Sequence, residues 1–422
     1  MTGGQRAVAV LGLTTAAVLA WGATAMAGRP HYRVEPYEVF PGSKITWAMP
    51  NAINHQDVAA GKSEGPLEAR ATRWHPDGTV IGLDWTAFPR AEARTINELH
   101  WTAGLSYYEW DKWEATIWAP EGTATTLGGL WKVYKGASVV EGINDAGVAV
   151  GVSTSDTSLA RAFRWTEETG LVDIGTLGGN RATAKAINNQ GRIVGYSDTA
   201  WLQNRAFVYD EGQFTELGPL PGGTTSEALD INEEGWIVGG ADVAEGGDRG
   251  PLRFHAVLWD MSTLADQAPP AVDLGVPFPG GQSYAVAVNN ARQVVGNGEN
   301  PDTPGDYYHP WIWQDGVMTL LQELIPPDSD WILYQVTDIN DNGWIVGRDA
   351  YGMAQGCVLI PLQDGDLDYD GDVDADDHAA FAACLTGPAG GVPGGCASAD
   401  VDEDQDVDLA DFARLARAFG QP

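Results

Sequence analysis

Ile143-Asn144-Asp145-Ala146-Gly147-Val148-Ala149-Val150-Gly151 is followed, 44 residues on, by Ile187-Asn188-Asn189-Gln190-Gly191-Arg192-Ile193-Val194-Gly195. Each reads as a β-hairpin. Asn at the first turn position bonds its side chain to backbone two residues on, and Gly three residues later takes the left-handed conformation that closes a tight turn. The Ile-Val pair then returns as a buried strand, and its final Gly suits a place where backbones crowd, as on inner strands of a radial array. Clear copies also begin at Ile231 and Ile339. Weaker ones begin at Ile53, Ile96 and Val288, where Asn54, Asn97 and Asn289 remain while Asp57, Trp101 and Arg292 replace or displace the turn glycine. The copies number seven.

Outward from each hairpin lies a loop and then an Ala-aromatic strand: Arg161-Ala162-Phe163-Arg164-Trp165, Arg205-Ala206-Phe207-Val208-Tyr209, His255-Ala256-Val257-Leu258-Trp259 and His309-Pro310-Trp311-Ile312-Trp313. Their alternation predicts half-buried strands. A short strand ending in Leu-Gly or Ile-Gly (Ile174-Gly175, Leu217-Gly218, Leu274-Gly275) precedes a Gly-rich turn into the next hairpin, so each unit has four strands. Starts at 53, 96, 143, 187, 231, 288 and 339 give a period near 44, lengthened in the fifth and sixth units. Four-stranded units of this period predict a mainly β chain folded as a seven-bladed β-propeller over residues 28–363. A β-sandwich or a linear β-solenoid is the rival, because repetition alone does not prove ring closure.

At these residues, over roughly 36–361, the chain resembles the HAF repeat family of bacterial extracellular proteins, whose His/Arg-Ala-Phe strand stands here at 161–163 and 205–207. The resemblance implies a repeat architecture and an exported protein, and little about activity. The final unit departs from the pattern, with Gln355-Gly356-Cys357-Val358 where the Ala-aromatic strand belongs.

Residues 364–411 hold fourteen Asp and one Glu with no Lys or Arg among them, a density that requires bound cations to offset its self-repulsion. Asp366, Asp368, Asp370, Asp374 and Asp377 occupy the first, third, fifth, ninth and twelfth positions of a loop with Gly371 sixth and the carbonyl of Asp372 seventh, which is EF-hand calcium spacing. Val373 is expected to pin this loop to its partner through a short strand contact. A second loop begins 34 residues later with Asp400, Asp402, Asp404, Asp406, Asp408 and Asp411, and has Gln405 in the glycine position, a substitution costing about 1 kcal/mol. Helices are expected after each loop, over 378–385 and 412–419. The pair resembles a type I dockerin, so residues 364–422 are expected to form a paired calcium-loop module holding two Ca2+ ions. The resemblance implies a cohesin-like or cell-surface protein partner. The partner-selecting positions, Ala375-Asp376 and Leu409-Ala410, match neither each other nor the usual hydroxyl pair.

Arg6, an apolar run over 7–21 and Ala25-Met26-Ala27 predict a secretory signal peptide over residues 1–27, hence a secreted or surface protein without membrane insertion. Export favours a disulfide between Cys384 and Cys396, which flank a Gly/Pro-rich turn, and leaves Cys357 over; sequence alone leaves the other two pairings open. A net charge of −34 argues against nucleic acid and anionic membrane as partners, since both would be repelled.

Seven scattered His residues, with no H-E-x-x-H or G-x-S-x-G, give no support to metal-hydrolase or serine-triad chemistry. His255 and His309 stand where Arg161 and Arg205 stand in other units, and Asp230 and Asp338 merely precede the repeated phrase. Above this background rise the aromatics of the loops between second and third strands: Tyr107, Tyr108, Trp110, Trp113, Trp201, Tyr307 and Tyr308. These form a candidate face for carbohydrate or protein. The expected function is a noncatalytic binding or surface-display platform. The alternative is a dockerin-bearing glycoside hydrolase or lyase.

Overall fold

The computed structural model describes residues 31–363 except 41–46, 66–67, 85–89, 110–111, 131–136, 155–158, 244–252, 263–267, 304–307, 327–328 and 350–354. In the tail it describes 366–367, 373, 375–393, 396, 399–400 and 405–418. Residues 1–27, where a signal peptide is expected, lie outside these residues. The described chain is mainly β, with five four-stranded antiparallel sheets and one eight-stranded sheet. The larger sheet is two four-stranded units joined by a single parallel bridge between Ala69 and Arg90. The arrangement is that of a propeller-like repeat protein.

The fourth unit shows the plan: Gly178–Ile187, Ile193–Thr199, Asn204–Asp210 and Gln213–Leu217 pair in sequence order. The Asn phrase joins the first two strands, the Ala-aromatic segment is the third, and the fourth ends at Leu217, as the repeat predicts. Each first strand carries a register shift at the same place, for example between Ala184 and Ala186. The shift pushes backbone toward the second strand. A Cβ on Gly195 would lie 2.0 Å from the Thr183 carbonyl oxygen, and Gly61, Gly104, Gly151, Gly239, Gly296 and Gly347 face the same obstruction. The repeated terminal glycine therefore answers a bulge in the neighbouring strand.

The seventh unit is built differently. Leu333–Ile339, Ile345–Asp349 and Gly356–Pro361 are its first three strands, and its outermost strand is Tyr32–Pro36, antiparallel with Tyr32 opposite Pro361. The departure at 355–358 is thus a third strand whose buried Cys357 faces Pro36 across the pair. The sequence reading contained no strand at 32–36.

The units meet through the Asn turns. Asn54 donates its side-chain amide to the carbonyl of Asn97, which donates to Asn144, then Asn188, Asn232, Asn289 and Asn340, at 2.9–3.1 Å. Asn340 donates to Asn54 at 2.8 Å, and the cycle closes. Each Asn also serves its own turn: its side-chain oxygen accepts from the N–H four residues on, in all seven copies. The bond expected two residues on occurs at Asn54, Asn97 and Asn340. All seven Asn are at most 5% exposed, so every one of these bonds is made away from water, where an unmade bond costs about 1–3 kcal/mol.

Turn register needs one correction. In the second copy the left-handed residue is His100 (φ 62°), not Trp101, because it lies three positions after Asn97 as Gly147 lies after Asn144. Asp57 (φ 60°) and Arg292 (φ 64°) fill that place in the first and sixth copies.

Further links join neighbouring units. Ser138, Ser226 and Ser283, each buried at the start of a first strand, donate to a carbonyl ending the preceding unit and accept an N–H from its third strand. Between third and fourth strands, Arg161 pairs with Asp173, Arg205 with Glu216 and His255 with Asp273. His255 therefore does the work of the arginines, as its position suggests.

In the tail, α1 spans Ala375–Cys384 and α2 spans Leu409–Ala418, each beginning about three residues earlier than the sequence predicts. Leu367, Phe381, Ala399 and Val407 form a small core against which Phe412 packs. Cys384 and Cys396 are bonded, with Cα atoms 5.6 Å apart. Among the described residues no helix is long and apolar enough to cross a membrane.

Candidate functional site

All seven first strands end around one cavity of about 260 Å³, beside the ring of Asn turns. The second residue before the Ile/Val-Asn pair lines it in every repeat, and the residue immediately before the pair lines it in all but the sixth, where Ala287 is buried in the core. The former position gives Asn51, Arg94, Glu141, Lys185, Leu229, Val286 and Thr337; the latter is small except for Asp230 and Asp338. At Gly142 a Cβ would sit 3.1 Å from the Ala186 Cα, which shows how closely adjacent strands approach at this level.

Several of these side chains stitch units together. Asn51 donates to the Ala93 carbonyl at 2.7 Å, and Lys185 lies 3.5 Å from Glu141. The Asp230 carboxylate accepts the Val288 N–H at 2.9 Å, and that of Asp338 accepts the N–H groups of Ile53 at 2.8 Å and Ile339 at 2.9 Å. Both carboxylates are partly buried at the cavity wall and enclosed by the surrounding protein. That burial pushes Asp230 up to about 6. Burial, reinforced by the charge of Asp230, pushes Asp338 up to about 8.

A second circuit lies at the mouth. The backbone N–H groups of His55, Glu98, Asp145, Asn189, Glu233 and Asn290 each donate to the side chain of the corresponding residue in the next copy, at 2.6–3.0 Å. His55 Nε2 lies 3.2 Å from the last of these, Asp341. Sequence reasoning missed the cavity. Its available signal was the pair of residues before each Ile-Asn, the variable part of an otherwise repeated phrase.

The aromatic residues do not gather into one site. Trp110 and Tyr307 lie outside the described residues. Tyr107 and Trp113 belong to paired strands, Thr102–Glu109 and Lys112–Trp118, instead of a loop; both are half-buried, with ring centroids 5.9 Å apart. Tyr108 is half-buried on the same strand, and Tyr308 meets Tyr334 edge-on at 5.1 Å. Trp201 differs, being 86% exposed. Its turn is ordered by bonds from the Leu202 N–H to the Thr199 carbonyl and from the Thr199 N–H to the Gln203 carbonyl.

In the tail, carboxylate oxygens of Asp406, Asp408 and Asp411 lie within 4.8 Å of one another, and Asp377 and Asp411 at the ends of the two loops are fully buried. An all-oxygen donor set closed by a buried carboxylate fits a hard cation such as calcium. Asp366 is also buried, Asp400 lies among the described residues, and Asp368, Asp370, Asp372, Asp374, Asp402 and Asp404 lie outside them. Gln405 has φ 72°, the strained left-handed backbone its position implies. The carbonyl of Val407 accepts the N–H groups of Thr386 and Gly387, just beyond α1, and Val373 packs against the small core that holds Val407.

No protein-family model matches the chain, and no curated protein matches it. It is similar to solved propeller structures. TolB from Acinetobacter baumannii is 12% identical over 61% of each chain, at TM-score 0.40. The β-propeller domain of the Trilobed protease from Pyrococcus furiosus is 10% identical over 76% of this chain and 86% of that one, also at 0.40. The WD40 domain of Toxoplasma gondii coronin is 12% identical over 82% and 90%, at 0.41. This chain spans less than two thirds of the TolB chain. Likenesses of this strength say nothing about activity.

Proposed function

We propose that this chain is a secreted, noncatalytic binding platform: a seven-bladed β-propeller carried on a calcium-dependent, dockerin-like anchor at residues 364–422. The blade count is supported by the closed cycle of seven Asn bonds. The binding role is carried by Trp201, a nearly fully exposed indole on a hydrogen-bonded turn that offers a large apolar surface with little ordering left to do on association. The anchor is supported by the carboxylate cluster at Asp406, Asp408 and Asp411 and the buried loop-closing Asp377. Two calcium ions would be held by the loops at 366–377 and 400–411. A cohesin-like or cell-surface protein is the partner this anchor suits, with carbohydrate as the class of ligand for the exposed ring.

A screen of the purified protein against plant and algal glycans and cell-wall fractions tests the reading. Retention that Trp201→Ala abolishes is expected. Release of reducing ends, lost on a single acidic substitution, would instead establish the polysaccharide-degrading alternative.

A further inference from the structure

We infer that the cavity at the Asn-turn end of the channel is a binding site for a small organic ammonium ion. The inference concerns the channel alone and does not depend on the tail or on Trp201.

Asp230 and Asp338 stand on either side of the sixth unit, which contributes Val286 and Val288 to the wall between them, with Leu229 adjacent. Each carboxylate accepts backbone N–H groups, and among the described residues neither has a Lys, Arg or His within ion-pair distance. The three basic side chains of the same wall are engaged elsewhere: Lys185 with Glu141, Arg94 with Glu92 at 2.9 Å, and His55 with Asp341 at 3.2 Å. An enclosed carboxylate without a counter-cation is costly to keep ionised. The mutual repulsion of these two raises that cost, and a ligand cation would relieve it.

The geometry selects the kind of cation. Calcium takes six to eight oxygens at 2.3–2.6 Å. Among the described residues, three carboxylates gather at such separations in the tail, at Asp406, Asp408 and Asp411, and not in the channel. An alkylammonium asks for less. Its three N–H donors suit the free side of a carboxylate, and its hydrocarbon part suits Leu229 and Val286. Glu98 and Glu233 at the mouth add negative potential that draws a cation inward.

The test is a titration of the calcium-saturated full-length protein with 1,4-diaminobutane at pH 9, where Asp338 carries its charge, followed by calorimetry and by amide NMR. Saturable binding is expected, with shifts at the amides of Ile53, Val288 and Ile339. Asp230→Asn and Asp338→Asn should each weaken it at least tenfold, since the amide oxygen still accepts the backbone N–H while the charge is gone. Leu229→Arg, which places a cation on the wall itself, should abolish it; circular dichroism verifies that each variant is folded. Absence of saturable binding, shifts confined to tail amides, or unchanged affinity in the Asp230→Asn/Asp338→Asn double variant would each overturn the inference. The shifts are read on the parent protein, so the test stands even if a variant fails to fold.

Discussion

Asn340 donates its side-chain amide to the backbone carbonyl of Asn54 across 286 positions of sequence, at 2.8 Å. This bond makes a circle of a linear run of repeats. The same amide also reaches Asp57 Oδ1 at 2.7 Å, and the Asn340 side-chain oxygen accepts the N–H groups of Asn342 and Trp344. Asn340→Ala removes all of these and leaves buried backbone groups without partners. The expected loss is about 2–4 kcal/mol in denaturant unfolding. A loss below about 0.5 kcal/mol would show that the seam is held by other contacts.

Gly195→Ala and Gly191→Ala separate two reasons for glycine. At Gly195 the new Cβ meets the Thr183 carbonyl oxygen at 2.0 Å, so backbone must move, and on the order of 3 kcal/mol is lost. At Gly191, with φ 85° and nothing within 4 Å of a Cβ, only the left-handed backbone penalty of about 1 kcal/mol applies. Urea midpoints should rank the variants in that order.

Asp338 gives stability a definite pH dependence. Its folded-state value near 8 lies above that of an ordinary carboxyl, so the folded protein holds a proton the unfolded chain releases. That contribution is complete below about pH 4 and is lost as pH rises through 8. Asp338→Asn should therefore gain stability over the parent as pH increases from 5 to 9, in thermal melts on matched buffers. A difference independent of pH would contradict the assigned burial effect.

Calcium removal should act on the tail first. With Asp377 and Asp411 buried at the loop ends and only a few apolar residues beneath them, chelation should erase the helical signal of α1 and α2 while the β signal persists. Loss of both signals together would remove the division at residue 363.

Within the tail, the first loop should bind calcium more tightly than the second. Gln405→Gly relieves a left-handed residue at φ 72° and should tighten the second site about fivefold, the equivalent of about 1 kcal/mol, by calorimetry. Unchanged affinity would place the difference elsewhere in the loops.

The repeated phrase made the unit plan legible because one residue type serves both turn and neighbour: Asn188 carries its own hairpin and grips Asn232. The same economy hid the seventh unit. Its outer strand, Tyr32-Arg33-Val34-Glu35-Pro36, has no Leu-Gly ending, and its partner lies more than 300 residues away, beyond any local pattern. The register slip at Trp101 arose because His100 gives no sign in sequence of a left-handed backbone. The cavity escaped notice because Asp230 and Asp338 gain their meaning only when units five, six, seven and one are brought together, which no single repeat records. The aromatic residues misled for the converse reason: Tyr107 and Trp113 face each other across paired strands and pack there.

The outer pair of the seventh unit also decides how the molecule bears load. Because Tyr32 lies opposite Pro361, the chain leaves that strand pair in both directions from the same edge. Tension between the two departing ends would open the hydrogen bonds one after another, as a zip fastener parts, instead of shearing them all at once. A pull between the tail and Trp201, in the fourth unit, would instead load the contacts that join one unit to the next, the Asn bonds among them. Direction of pull, more than strength of anchoring, would set whether the ring survives.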